Sequence, residues 1–281
     1  MASLADYVKS LIQDRDNYKN NLNTLFNINV TENSFTNLNE ILVDNYLNSY
    51  PGSISYKFYS GDTIKENELA LLSLYNLTNL HQMFYQCENI QTLNLSQLNV
   101  SNVTDMAFLF SSCSNLKTLD ITGWNTANVT NMMYMFQYCE NITNFEMLSS
   151  FNISKINSMA YMFRACHNMT NLHFMSNWNT NNIDNMSQIF YSCSNLTDLG
   201  ISNWNMSKVT NVTRMFAQCN NLSDNALKDI ANICLNATNV ARKSLNASNR
   251  YSPISLTNKS LTVDNIGEDL YNKLLSNGWT F

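Results

Sequence analysis

Charge is scarce in this sequence. Only 13% of its 281 residues are Asp, Glu, Lys or Arg, and the formal net charge is −5. A protein that grips a phosphate backbone needs a basic footprint, so nucleic acid is not expected as a partner. No apolar stretch reaches the roughly 18 residues of a membrane-spanning helix, and residues 1–19 lack the apolar run of roughly 7 to 15 residues that marks a signal peptide. Neither a membrane span nor Sec export is expected. Histidine is limited to His81, His167 and His173, none at a ligand spacing from a Cys or a carboxylate. No catalytic residue, metal ion or cofactor is therefore expected. His173 and Glu146 could face one another in neighbouring strands, but they read as a solvated surface pair.

Proline (2) and glycine (6) are also rare, whereas Asn supplies roughly one residue in six, far above ordinary usage. Asn bonds its own backbone in turns, so it is expected to satisfy backbone groups at successive turns; an AT-rich genome would push composition the same way. At 44% hydrophobic, the chain can bury a sizeable core in one or two domains.

The cysteines reveal the organisation. The differences 113 − 87, 139 − 113 and 219 − 193 are each 26, and 166 − 139 and 193 − 166 are each 27. A fixed period of this size marks a repeat. Each Cys follows an apolar pair: Met83-Phe84, Leu109-Phe110, Met135-Phe136, Met162-Phe163, Ile189-Phe190 or Met215-Phe216. After it comes an alternating pair such as Leu119 and Ile121, then an apolar anchor followed by Asn, as in Trp124-Asn125, then a closing pair such as Val129 and Met132.

Apolar residues two apart alternate across a strand, whereas those three and four apart share a helical face. Each unit is thus expected to hold one short strand and one short helical or irregular turn, with Met132, Met135, Phe136 and Cys139 facing inward. So small a unit cannot bury that face alone, but stacked neighbours can. The expected fold class is an α/β repeat solenoid. The two longer units carry their extra residue between the Cys and the anchor: 151 − 139 and 178 − 166 are 12, whereas 124 − 113 is 11. That residue is expected to bulge into a surface turn without shifting the strand rows. One Cys per unit, flanked by Phe and an aliphatic residue, reads as a reduced core ladder. The anchors Trp124, Trp178 and Trp204 read as core, because Leu98 and Phe151 replace them in sister units.

The phrase Met-Phe-x-x-Cys-x-Asn-Leu-x-x-Leu-x-Leu, followed by Trp-Asn-Thr-x-x-Val-Thr-x-Met, resembles the 26-residue repeat of bacterial surface proteins, the BspA-like leucine-rich repeats. The resemblance covers about half the chain, in five full copies and a partial sixth. It implies a non-enzymatic recognition scaffold of the kind found in surface adhesins and in phage and prophage virion proteins.

The flanks complete the reading. Residues 1–50 carry two amphipathic patterns, with Leu4, Tyr7, Val8, Leu11, Ile12, Tyr18, Leu22, Leu25 and Phe26 in the first and Phe35, Leu38, Ile41, Leu42 and Tyr46 in the second. They form the expected helical attachment and oligomerisation segment. Separately, the order Leu4-Ala5-Asp6-Tyr7, a long helix, Asn29-Val30-Thr31 and a helix from Phe35-Thr36-Asn37-Leu38 to Ile41 resembles N-terminal segments of phage tail-associated proteins. Residues 51–82 are the linker and N-terminal cap, 83–222 the repeats, and 223–281 a C-terminal cap with a helix from Val263 to Ser276. The closing Gly278-Trp279-Thr280 resembles the end of phage proteins carrying this repeat.

In a solenoid the outward strand residues form a row of variable side chains. The ligand-binding face is accordingly expected at Thr92, Asn94, Thr118, Asp120, Asn144, Glu146, Asn171, His173 and Asp198. The resulting expectation is a virion component, assembled in the host cytoplasm as a homo-oligomer, that meets virion proteins or a host-surface protein or glycan. A bacterial cell-surface adhesin exported by another route is the alternative.

Overall fold

The computed structural model describes residues 77–240 and 261–280. The helices expected over residues 1–50 and most of the cap expected over residues 51–82 lie outside the described residues.

Units 1 to 6 are named here by Cys87, Cys113, Cys139, Cys166, Cys193 and Cys219. Ahead of each Cys the backbone alternates its hydrogen bonds. In unit 3 the N–H groups of Tyr134, Phe136 and Tyr138 donate to Ala160, Met162 and Arg164 carbonyls of unit 4, at 3.2, 2.9 and 2.8 Å. The intervening N–H groups of Met135, Gln137 and Cys139 instead close turns on the carbonyls of Met132, Tyr134 and Phe136. Every second donor thus ties one unit to the next.

Turning this tightly requires left-handed backbone at two positions per unit. Gln82 and Gln86, Phe108 and Ser112, Tyr134 and Tyr138, Tyr161 and Ala165, Gln188 and Ser192, and Arg214 and Gln218 have φ between 54 and 64°. None is glycine, so each costs on the order of 1 kcal/mol. The hydrogen bonds to the next unit and the core beneath offset that strain. Met132, Met135, Phe136 and Cys139 do share a buried face, built from successive irregular turns rather than from helix.

That face carries three columns. Phe84, Phe110, Phe136, Phe163, Phe190 and Phe216 stack with centroids 5.5, 5.3, 5.7, 6.0 and 5.4 Å apart. Burying each ring contributes about 1.5–3 kcal/mol. Beside them each thiol from Cys113 to Cys219 donates to the Phe carbonyl of the preceding unit, as from Cys113 Sγ to Phe84 at 3.0 Å and from Cys139 Sγ to Phe110 at 3.1 Å. Cys is therefore more than a small apolar residue here: it fits beneath the rings and supplies a donor. Trp124, Trp178 and Trp204 are 4%, 5% and 1% exposed. Their Nε1 atoms donate to the carbonyls of Leu95, Leu148 and Met175, so they belong to the core.

Asparagine closes the corners. The Asn after each anchor accepts from the N–H two residues on, as Asn99, Asn125, Asn152, Asn179 and Asn205 do from Ser101, Ala127, Ser154, Asn181 and Ser207. Others, such as Asn128 and Asn182, donate to carbonyls of the preceding unit. This is the backbone role that turn chemistry gives Asn.

The opposite side is less regular. Strands β1 (Thr92–Asn94) and β2 (Thr118–Asp120) pair in parallel. In units 3 and 4 the corresponding stretch is instead 3-10 helix, η1 (Glu146–Leu148) and η2 (His173–Met175). These are the two 27-residue units, so the expectation that the extra residue leaves the strand rows unshifted is corrected. In η1 the buried pair is Phe145 with Leu148, three apart instead of two, whereas in η2 Leu172, Phe174 and Met175 are all buried; both segments thus bury residues three apart, a spacing that suits 3-10 geometry.

After unit 6 the pattern changes at Ser223, whose side chain accepts from the Ala226 N–H and caps helix α1 (Asp224–Asn236). Ala226, Leu227, Ile230, Ile233 and Cys234 form its buried face. The helix expected from Val263 to Ser276 is two helices, α2 (Val263–Ile266) and α3 (Glu268–Ser276). Gly267, at φ 87°, breaks the helical run between them. Both helices contact α1, and Trp279 Nε1 donates to Cys234 carbonyl at 3.1 Å.

Candidate functional site

The nine residues of the expected face all lie at the surface, exposed or half-buried. The structure joins them only locally. Thr92 lies opposite Thr118, and Asn94 opposite Asp120, on β1 and β2. Asn171 bridges to Asp198. Asn144 and Glu146 fall on or beside η1, where no strand pairing links them to β2, so a single uninterrupted strand row does not form among the described residues.

His173 is placed by a glycine. A Cβ on Gly200 would come within 2.9 Å of the His173 ring, and Gly200 itself has φ 66°. The imidazole lies across that opening with Nε2 3.3 Å from Asp198, while the Gly200 N–H donates to Asp229 of α1. His173 thus meets Asp198 of the following unit. The other histidines also face carboxylates of adjoining units: His81 with Asp105 at 3.6 Å, and His167 with Glu140 at 3.8 Å. These pairs are 24 to 27 positions apart, so only a search at the repeat period would have found them.

One of them extends to a hydroxyl. Ser192 Oγ lies 3.4 Å from His167 Nε2, which gives Ser, His and Glu from three consecutive units in the order of a nucleophile, base and orienting acid. An acyl-transfer site also needs free N–H donors for the oxyanion. The N–H groups of Ser192 and Cys193 are already donated to the carbonyls of Ala217 and Phe190. The two backbone donors nearest the hydroxyl are thus committed within the fold.

No three His, Cys, Asp or Glu side chains gather around one point among the described residues, and the seven cysteines are free and buried. Burial raises the thiol pKa of Cys139, Cys166, Cys219 and Cys234, and pushes that of Cys193 up to about 12. For Cys113 the leading cause is its hydrogen bond with Cys87, with burial next. Such thiols are poor nucleophiles and poor metal ligands.

The turn segments carry a second surface that sequence reasoning did not single out. Five positions before the Cys, the rings of Phe108, Tyr134 and Tyr161 stack with centroids 4.3 and 4.4 Å apart. Burial raises the Tyr134 phenol pKa, with the neighbouring Tyr161 adding to the effect. Tyr138 is 36% exposed. Reading that position down the repeats would have shown the aromatic run.

No curated protein matches the chain. A family model described as Mycoplasma protein of unknown function, DUF285, matches residues 52–172 and again residues 140–251. The two matches together span residues 52–251, or 251 − 52 + 1 = 200 of 281 positions, and take in every unit whose Phe, Cys and anchor columns are described above. With that match over the repeats themselves, the chain belongs to the DUF285 family of BspA-like repeat proteins.

Proposed function

We propose that this protein is a non-enzymatic recognition scaffold, an α/β solenoid of six BspA-like units whose surface columns of side chains meet a partner. The observation that carries the reading is how the backbone is used: alternate N–H groups of the turn segments of units 1 to 5 are donated to the next unit, so the surface varies while the frame does not. Such an arrangement suits binding through side chains. At the Ser192–His167–Glu140 group the N–H groups of Ser192 and Cys193 are already donated to carbonyls, which argues against hydrolysis there.

The setting is a virion, with the N-terminal 50 residues as the attachment and oligomerisation segment. Their amphipathic spacing and their resemblance to tail-associated proteins support it. Light scattering on the full chain is the test. A trimer or larger ring that becomes a monomer in a Leu11→Glu, Leu22→Glu variant is the expected result. A monomeric native chain would overturn the virion setting and favour a cell-surface adhesin.

A further inference from the structure

The turn face holds a cation with no anion. Arg164 stands two positions before Cys166, where the other units have Tyr85, Ser111, Gln137, Tyr191 and Ala217. Its guanidinium carbon lies 5.0 Å from the ring centroid of Tyr191, 5.6 Å from that of Tyr138 and 5.9 Å from that of Tyr161. Rings from three consecutive units therefore hold it in place. Its Nε is buried without a hydrogen-bond partner. Among the described residues, the ion pairs involve His81, His167, His173 and Lys273, not Arg164.

A half-buried guanidinium without a counter-charge is unfavourable, and cation–π contact, at about 0.5–2 kcal/mol, offsets only part of the cost. Next to it Tyr138 is exposed, and the equivalent positions of the units on either side hold the small Ser112 and Ala165, so the ring stands clear of its column. The Tyr161 hydroxyl accepts from Gln188 Nε2 at 3.0 Å. The patch thus offers a fixed guanidinium, an open aromatic ring, and a neutral hydroxyl and amide.

We propose that this patch binds a carboxylate-bearing saccharide of the sialic- or uronic-acid type. The carboxylate pairs with the Arg164 fork, an apolar face of the sugar rests on Tyr138, and its hydroxyls meet Tyr161 and Gln188. The proposal rests on the recognition reading and assigns contact to the turn face. Charge complementarity selects an anion, and the planar fork of arginine suits a carboxylate. The backbone disfavours a peptide added as a strand, because the N–H groups of Tyr134, Phe136, Tyr138, Tyr161, Phe163 and Ala165 are already donated to the next unit.

Titration calorimetry of the full chain with sialyllactose, a hyaluronan oligosaccharide, lactose and a polyglutamate peptide tests it. One or both acidic sugars are expected to bind, with lactose weaker by about tenfold or more. Arg164→Gln should weaken the acidic sugar by about tenfold or more, and Arg164→Lys by less. Thermal melts establish that each variant is folded; should both arginine variants unfold, Tyr138→Ala at the exposed ring decides, with weakened binding supporting the site and unchanged binding overturning it. Sialyllactose alone or hyaluronan alone would identify the sugar. The site is overturned if neither acidic sugar binds, if lactose binds equally well, if the peptide is preferred, or if a folded Arg164→Gln chain binds like the native one. Binding lost in Thr118→Ala or Asp120→Asn but kept in Arg164→Gln would also overturn it, while leaving recognition by the strand face standing.

Discussion

The turn side and the strand side of these units answer to different constraints. On the turn side the Phe and Cys positions repeat in all six units, and a Cys thiol donates to the preceding Phe carbonyl from unit 2 to unit 6. On the strand side two units form β1 and β2, and the next two form η1 and η2. One residue makes the difference. A turn segment that gives every second N–H to its neighbour cannot absorb an insertion without losing those bonds, so the extra residue is accommodated where pairing is weaker. Regularity on one side is therefore bought by variation on the other.

The comparison is broken most severely by alkali. Six thiols, those of Cys113, Cys139, Cys166, Cys193, Cys219 and Cys234, have raised pKa values in the folded chain. Above the roughly 8.5 at which an exposed thiol ionises, the unfolded chain binds fewer protons than the folded one, so stability is retained below that pH and falls as pH rises. Each thiol can remove up to ~1.4 kcal/mol per pH unit. The urea midpoint should therefore drop steeply between about pH 9 and pH 11. A midpoint that stays level over this range would contradict the buried ladder.

Next in size is Phe136→Ala, which opens the middle of the Phe column. Chemical denaturation should show a loss of about 3–5 kcal/mol. A loss under about 1 kcal/mol would mean that the neighbouring rings close the gap.

Deleting Ser149 sharpens the comparison by restoring unit 3 to 26 residues. Its Asn144–Glu146 stretch should then pair with β2, visible as strand-like chemical shifts and slowed amide exchange, with stability changing by less than about 2 kcal/mol. Persistence of 3-10 shifts would show that the local sequence, not the length, dictates η1. The smallest effect belongs to Thr118→Ala on the exposed side of β2, expected within about 0.5 kcal/mol of the native chain.

Legibility in the sequence followed the same division. The period, the inward Met, Phe and Cys positions and the buried Trp anchors could be read because burial imposes one residue class on each position of the repeat. The 3-10 segments could not, since Met147 and Leu148 are both apolar and only packing selects Leu148 as the buried one. The His pairs and the Arg164 cluster were hidden because their members lie in different units.

By itself the sequence determined that a 26- or 27-residue unit recurs and that its Phe, Cys and anchor columns are buried, because periodic apolar residues have no other way to leave water. Only the tertiary structure decided the left-handed turns at non-glycine positions, the change from strand to 3-10 helix at the inserted residues, and the meeting of Arg164 with three tyrosines. Each of these depends on what the adjoining unit places opposite a given atom, and adjacency between units is a property of the folded chain.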